Sequence, residues 1–387
     1  MKRLAAVLFG ANPPRKIDFG ARASAPLLLL AVIILGCGYR PPPDTGDGWL
    51  TGRARDVGLS EPWLVAARLA ARKPGSRIHS MLVVKDGRLV FEEYLNGWQR
   101  DSLHPIFSIT KSIVSLLVGA AVDSGNLAGI DVPVSDYLPL SPGADRQLTL
   151  RHLLTHTAGL EWDEQSAAYG DSRNSHAAMT MTDDWTEFVL SRSRTAPPGS
   201  VFRYSTGNYF VLGQVLEQAT GLPLARFARE RLFEPLGIER AEWGYNRQGQ
   251  PCAGGSQGGL RLTSRDLARI GQLVLDRGDW QGRPVISRRW LDSATAIVAE
   301  ARPGMGYGLG WWAYEVPVHG RKLKLVMALG IHSQALLLLP QERLLIVFTS
   351  DHANPRLNLI VASAGCILAS ELGPDAVPLC THWLRTL

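Results

Sequence analysis

The sequence predicts an α+β fold: an antiparallel sheet flanked by terminal helices, with a mainly helical region inserted between the strands. Three observations carry this. Ile78–Val84 and Arg88–Leu95 are apolar runs around Asp86-Gly87, a dipeptide suited to tight hairpins because both positions tolerate positive φ. Three more such runs stand near the other end of the chain, at Lys322–Ala328, Gln334–Leu339 and Leu344–Ser350, the last two joined by Pro340-Gln341-Glu342-Arg343. Between the two groups the apolar spacing turns helical.

The elements follow in order. Ser60-Glu61-Pro62-Trp63 offers a capping residue and an early proline, so a helix is expected to about Arg72. The hairpin comes next. Pro105 then precedes a helix from Ser108 through Val122 that is apolar nearly all round, the mark of a buried helix. It ends near Asp123-Ser124-Gly125, where glycine suits the C-terminal cap. Asp131–Pro139 reads as a loop with short turns. Leu148–Leu160 reads as a short helix closed by Gly159, and Asp183-Asp184-Trp185 opens another, its acidic residues suiting a first turn. Thr263–Leu275 has helical spacing at Leu267, Ile270, Val274 and Leu275, and Arg356–Leu372 is a mostly apolar final helix.

A chain of 387 residues with 45% apolar content holds one large core or two small ones. The formal charge of +6 is uneven, because Lys2, Arg3, Arg15, Lys16 and Arg22 outnumber Asp18 in the first 24 residues and leave +2 for the rest. No basic stripe follows, which excludes a nucleic-acid partner. The apolar run Ala25–Cys37 after these basic residues has the length of a signal-peptide core and is short for a membrane span. Ile34-Leu35-Gly36-Cys37 resembles a bacterial lipobox, which makes Cys37 the candidate for lipidation. The expectation is an exported, periplasmic lipoprotein, with an uncleaved anchor as the alternative. Residues 1–38 are then a leader, 39–59 a tether stiffened by Pro41-Pro42-Pro43, and 60–387 the folded domain, its helical insertion at about 106–200. In an exported protein Cys366 and Cys380 are the nearer pair for a disulfide. Cys252, Cys366 and Cys380 make no metal cluster, and no cofactor is implied.

The chemistry centres on Ser108-Ile109-Thr110-Lys111. Ser108 and Lys111 are three apart on a helix and share a face. A buried lysine loses its charge more readily, so it can take the proton that a serine hydroxyl must shed to attack a carbonyl. A bland alternative is a helix start in which Ser108 caps and Lys111 reaches to water.

Four motifs in order raise the first reading above the second. Ser108-Ile109-Thr110-Lys111, His156-Thr157-Ala158-Gly159-Leu160, Pro198–Ser205 with Tyr204 inside it, and Ala328-Leu329-Gly330 together resemble the serine β-lactamase-like superfamily. That superfamily includes class C β-lactamases, penicillin-binding DD-peptidases, related esterases and 6-aminohexanoate-dimer hydrolases. The resemblance spans roughly residues 60–372. Asp183-Asp184-Trp185, Gly254-Gly255 before Arg261-Leu262-Thr263, and Tyr307–Trp312 are most similar to the 6-aminohexanoate-dimer hydrolase branch. The resemblance implies a β-lactamase/transpeptidase-like fold and an acyl-enzyme on Ser108. It gives Lys111 the proton and makes Tyr204 the relay to the leaving group, its pKa lowered by the Lys111 cation. It places the backbone N–H groups of Ser108 and Ile331 in the oxyanion hole. It puts Ala328, Gly330, His332 and Trp185 against substrate; for His332 a solvent-facing strand end is an equal reading.

Two departures bear on substrate. Relatives commonly read Tyr-x-Asn where this chain has Thr206, with Asn208 two residues on. β-Lactamases usually carry Lys-Thr-Gly where this chain has Ala328-Leu329-Gly330, so a cation for a β-lactam carboxylate is missing. The missing lysine favours an ester or amide over a β-lactam or peptidoglycan stem. A scaffold that kept the fold without catalysis is the third reading, and intact Ser108, Lys111 and Tyr204 weigh against it. Two decoys remain. His152 and His156 have zinc-helix spacing, but no glutamate follows His152 and no third ligand stands out. Gly254-Gly255-Ser256-Gln257-Gly258 fits a lipase elbow but lacks a preceding buried strand.

Overall fold

The computed structural model describes residues 38–140, 146–318, 321–351 and 367–368. Cys37 and the leader, the Cys366–Cys380 pairing, and all of the expected last helix except helical Ile367-Leu368 lie outside the described residues. In chain order come β1 (Leu50–Thr51), α1 (Glu61–Ala71), β2 (Ile78–Lys85), β3 (Arg88–Tyr94), β4 (His104–Pro105), α2 (Ile109–Asp123), α3 (Leu150–Leu154), α4 (Ser175–Thr180) and α5 (Trp185–Leu190). There follow α6 (Thr206–Thr220), α7 (Leu224–Ala228), β5 (Glu242–Trp243), β6 (Leu260–Leu262), α8 (Ser264–Leu275), β7 (Asp279–Trp280), β8 (Arg283–Pro284) and α9 (Arg288–Ala294). The last strands are β9 (Ala299–Arg302), β10 (Met305–Tyr307), β11 (Trp312–Val318), β12 (Arg321–Gly330), β13 (Gln334–Leu339) and β14 (Leu344–Ser350). This is the α+β class that the sequence predicts.

The residues divide into two compact units. Of the described residues, the first takes 38–102, 315–318, 321–325, 331–351 and 367–368; the second takes 103–140, 146–314 and 326–330. In the first, the strand order is β1-β3-β2-β14-β13-β12-β11. The early hairpin and the late one therefore meet, with β2 antiparallel to β14 and Val83 opposite Ile346. β13 and β14 are buried along their whole length, as continuous apolar runs require. Asp86 and Gly87 both take positive φ and close the first hairpin as expected. Helix α1 carries Arg68 onto the ring of Phe91 and into an ion pair with Glu93, which also takes Arg72 at 3.0 Å. Tyr39, at the start of the expected tether, is docked: its hydroxyl bonds the Val90 carbonyl and accepts from the Ala54 N–H. Burial pushes its pKa up to about 12.

In the second unit α2 is the central helix, buried from Ile109 to Ala121. A Cβ on Gly119 would fall 2.5 Å from Cδ1 of Trp290 on α9. Gly119→Ala is therefore expected to lower unfolding free energy by about 1–3 kcal/mol through overpacking. A drop in the urea midpoint at unchanged slope checks this; an unchanged midpoint would show that α9 yields freely.

One expected element differs. The segment Leu148–Leu160 is helical only over α3, because His156 at φ 57° turns the chain out of the helix. Helix α6 is an addition. Ser205 caps it by accepting from the Asn208 N–H, and it is buried on most sides, so its sequence shows no polar face.

Candidate active site

The polypeptide reaches the site along β4, whose Pro105 pairs with Arg261 of β6. Phe107 then takes φ 46°, an unfavourable value for an L side chain, and this turn delivers Ser108 to the start of α2. Ser108 makes no side-chain cap. Its hydroxyl is instead 3.0 Å from Lys111 Nζ. The bland reading of capping serine and snorkelling lysine fails on both residues, since Lys111 is 1% exposed.

Lys111 Nζ has three acceptors around it: Ser108 Oγ, Thr206 Oγ1 at 3.1 Å and the Gly254 carbonyl. Burial lowers its pKa to about 8, with the Glu164 carboxylate opposing the shift. Near neutrality a useful fraction is then unprotonated. Among the described residues no acceptor takes the Ser108 backbone N–H. Gly255 explains the open space: a Cβ there would lie 2.9 Å from that nitrogen, and its φ of 97° also requires glycine.

Tyr204 joins the pair. Its hydroxyl hydrogen-bonds with Ser108 and its ring lies 4.8 Å from Lys111 Nζ. Trp312 stacks on that ring at 5.8 Å between centroids. One expectation is corrected here. Burial, with Tyr307 and Glu164 nearby, raises the Tyr204 pKa well above its ordinary value, and the Lys111 cation does not reverse this. Tyr204 therefore stays a phenol rather than a phenolate.

His156 is fully buried between Tyr204, Tyr209 and Tyr307, its Nδ1 accepting from the Ser205 N–H. His152 instead bonds Thr149, and His156 lies beyond the end of α3, so the two histidines share no helix face. Burial, then the Lys111 cation, drives the His156 pKa far down and keeps it neutral. Trp185 is 3% exposed and packs on Phe210, so its surface is spent in the core of this unit instead of facing substrate. Ala328 is buried and Gly330 half-buried on β12. Ile331 and His332 belong to the first unit, in a tight turn where His332 has φ 60° and lies 3.7 Å from Asp351.

Ser256 sits in a short turn followed by strand β6, without the strand-turn-helix of a lipase elbow. It bonds His176 Nε2 at 2.8 Å, but His176 Nδ1 has no partner among the described residues to orient the ring. Ser256→Ala should leave ester turnover within a few-fold of wild type; a collapse would make Ser256 a nucleophile.

Residues 66–360 match the family described as Beta-lactamase. The chain belongs to that family. It is a hydrolase of the serine β-lactamase superfamily. The 6-aminohexanoate-dimer hydrolase of Paenarthrobacter ureafaciens is 27% identical over 301 residues, covering 71% of this chain and 73% of the relative. Esterase EstB of Burkholderia gladioli is 36% identical over 151 residues; the match spans 36% of this chain and 38% of the esterase. Among solved structures, EstCE1, a hydrolase with promiscuous acyltransferase activity, shares the fold at TM-score 0.65 and 18% identity, covering 79% of this chain and 98% of its own.

Within this β-lactamase-family site, sequence reasoning missed Glu164 and the Gly254 carbonyl. Glu164 is 2% exposed and accepts from Thr206 N and Thr206 Oγ1, each at 2.8 Å. Its only signal was Trp162 two residues earlier, whose Nε1 also donates to it. Thr206, read as a departure from Tyr-x-Asn, is the residue that contacts Lys111.

Proposed function

We propose that this protein cleaves a small ester or linear amide through an acyl-enzyme on Ser108, with Lys111 as general base and Tyr204 as proton relay. The observation that carries the reading is the buried Lys111 with Nζ 3.0 Å from Ser108 Oγ. Neutral Lys111 takes the hydroxyl proton as Oγ bonds to the carbonyl carbon. The carbonyl electron pair moves to oxygen, which the Ser108 N–H stabilises. The Tyr204 hydroxyl protonates the leaving oxygen or nitrogen and recovers its proton from Lys111. Water then repeats the sequence on the acyl-enzyme and frees Ser108.

The choice of ester or amide rests on the third motif. Ala328 stands where a lysine would bind a β-lactam carboxylate, and an uncharged side chain gives that group no partner. The 6-aminohexanoate-dimer hydrolase and the esterase among its relatives point the same way. The test is intact-mass spectrometry of the full chain with p-nitrophenyl butyrate, the linear 6-aminohexanoate dimer and a penicillin in parallel. An acyl adduct with ester or amide turnover supports the reading. Fastest turnover of the penicillin would replace it with a β-lactamase or DD-peptidase, and neither adduct nor turnover would leave a scaffold.

A further inference from the structure

We propose that Glu164 is a positioning residue for catalysis: acting through Thr206, it fixes the direction in which Lys111 accepts the Ser108 proton. The inference rests on the reaction just proposed.

Four groups point at the Glu164 carboxylate: Thr206 N, Thr206 Oγ1, Trp162 Nε1 and the Tyr169 hydroxyl, at 2.8, 2.8, 2.8 and 3.3 Å. Thr206 N and Trp162 Nε1 can only donate, and the Glu164 carboxylate also accepts from the Thr206 and Tyr169 hydroxyls. The single Thr206 hydroxyl proton is thereby committed to Glu164. What Thr206 Oγ1 turns towards Lys111 is a lone pair. The Gly254 carbonyl is likewise an acceptor only.

Neutral Lys111 has two N–H donors and one lone pair. Two of its three neighbours, Thr206 and Gly254, can only accept from it, so they take both N–H groups. The lone pair is left facing Ser108 Oγ, the one neighbour with a proton to give. If Thr206 were released from Glu164, its hydroxyl could turn and donate to Lys111, competing with Ser108 for the lone pair.

The other groups facing Lys111 do not supply this anion. His156 and His176 are held neutral, chiefly by burial and further by the Lys111 cation, although Glu164 opposes the shift of His176. Tyr204 remains a phenol.

The test is the pH dependence of p-nitrophenyl butyrate acylation in the full chain, for wild type, Ser108→Ala, Glu164→Gln, Thr206→Val and Thr206→Ser. Folding is checked by circular dichroism. Glu164→Gln and Thr206→Val are expected to lose about tenfold to a hundredfold in acylation rate, and the double variant no more than the worse single one, because they act in one chain of contacts. The acid limb of Glu164→Gln should also move to lower pH, since the anion that raises Lys111 is gone. A defect of packing alone would lower the rate without moving the limb. Thr206→Ser, which keeps the hydroxyl, should stay within a few-fold of wild type. Should Glu164→Gln not fold, the threonine pair decides: a loss in valine rescued by serine supports the proposal, and a valine variant at wild-type rate overturns it. A folded Glu164→Gln with wild-type rate and limb overturns it too. Full turnover by Ser108→Ala would instead bring down the reaction on which it rests.

Discussion

Ser108→Ala is expected to form no acyl adduct and to lose about 10⁴- to 10⁶-fold in turnover, the scale seen when a catalytic nucleophile is removed. The substitution takes away one oxygen from a half-buried side chain and leaves Lys111 two of its three acceptors. Stability should therefore change by less than about 1 kcal/mol. Intact mass after incubation with p-nitrophenyl butyrate, paired with a urea titration, separates loss of chemistry from loss of fold. An adduct that persists in a folded Ser108→Ala would move the nucleophile elsewhere, with Ser256 and its His176 partner the first place to look.

The parts of this site legible in the sequence are those whose geometry is local or whose pattern is dense. Ser108 and Lys111 are one helical turn apart, so their meeting follows from spacing alone. The central strands were legible because a run such as Gln334–Leu339 that is buried throughout leaves little else for its residues to do. The Asp86-Gly87 turn was legible because few dipeptides accept its φ values. Glu164 was not legible. It bonds a residue 42 positions away, and a carboxylate in a loop is solvated by default. Helix α6 was hidden for the opposite reason: Tyr209, Phe210, Val211 and Leu212 in succession are all buried and show no face. The misjudged Tyr204 pKa has a further cause. Sequence placed a cation near the phenol but carried no measure of burial, and burial is the larger effect. Trp185 shows the same limit, since a motif tryptophan reads alike whether it faces a ligand or Phe210.

Lys111→Met should have the second large effect, and in two directions. Methionine keeps the length of the stem and removes the amine, so acylation should fall by about 10²- to 10⁴-fold, the usual worth of a positioned base. If acylation proceeds as proposed, it requires neutral Lys111, and the wild-type rate should rise with pH through about 8 and fall away below it. That limb should vanish in the variant, because His156 and His176 are already neutral above their lowered pKa values. Stability moves the other way. The folded pKa of about 8 lies below the ordinary lysine value of 10.5, so between those values the unfolded chain binds more protons and wild-type stability rises with pH. Below about 8 the folded state bears the cost of a buried ammonium, of the order of a few kcal/mol from the size of that shift. Lys111→Met escapes this cost, while leaving the Gly254 carbonyl without its donor offsets part of the gain. At neutral pH the variant should be at least as stable as wild type in urea, and the gap should narrow as the pH climbs towards 10.5. A variant that is much less stable at neutral pH would mean that Lys111 supports the fold more than its burial costs, and an acid limb that survives in it would assign that titration to another group.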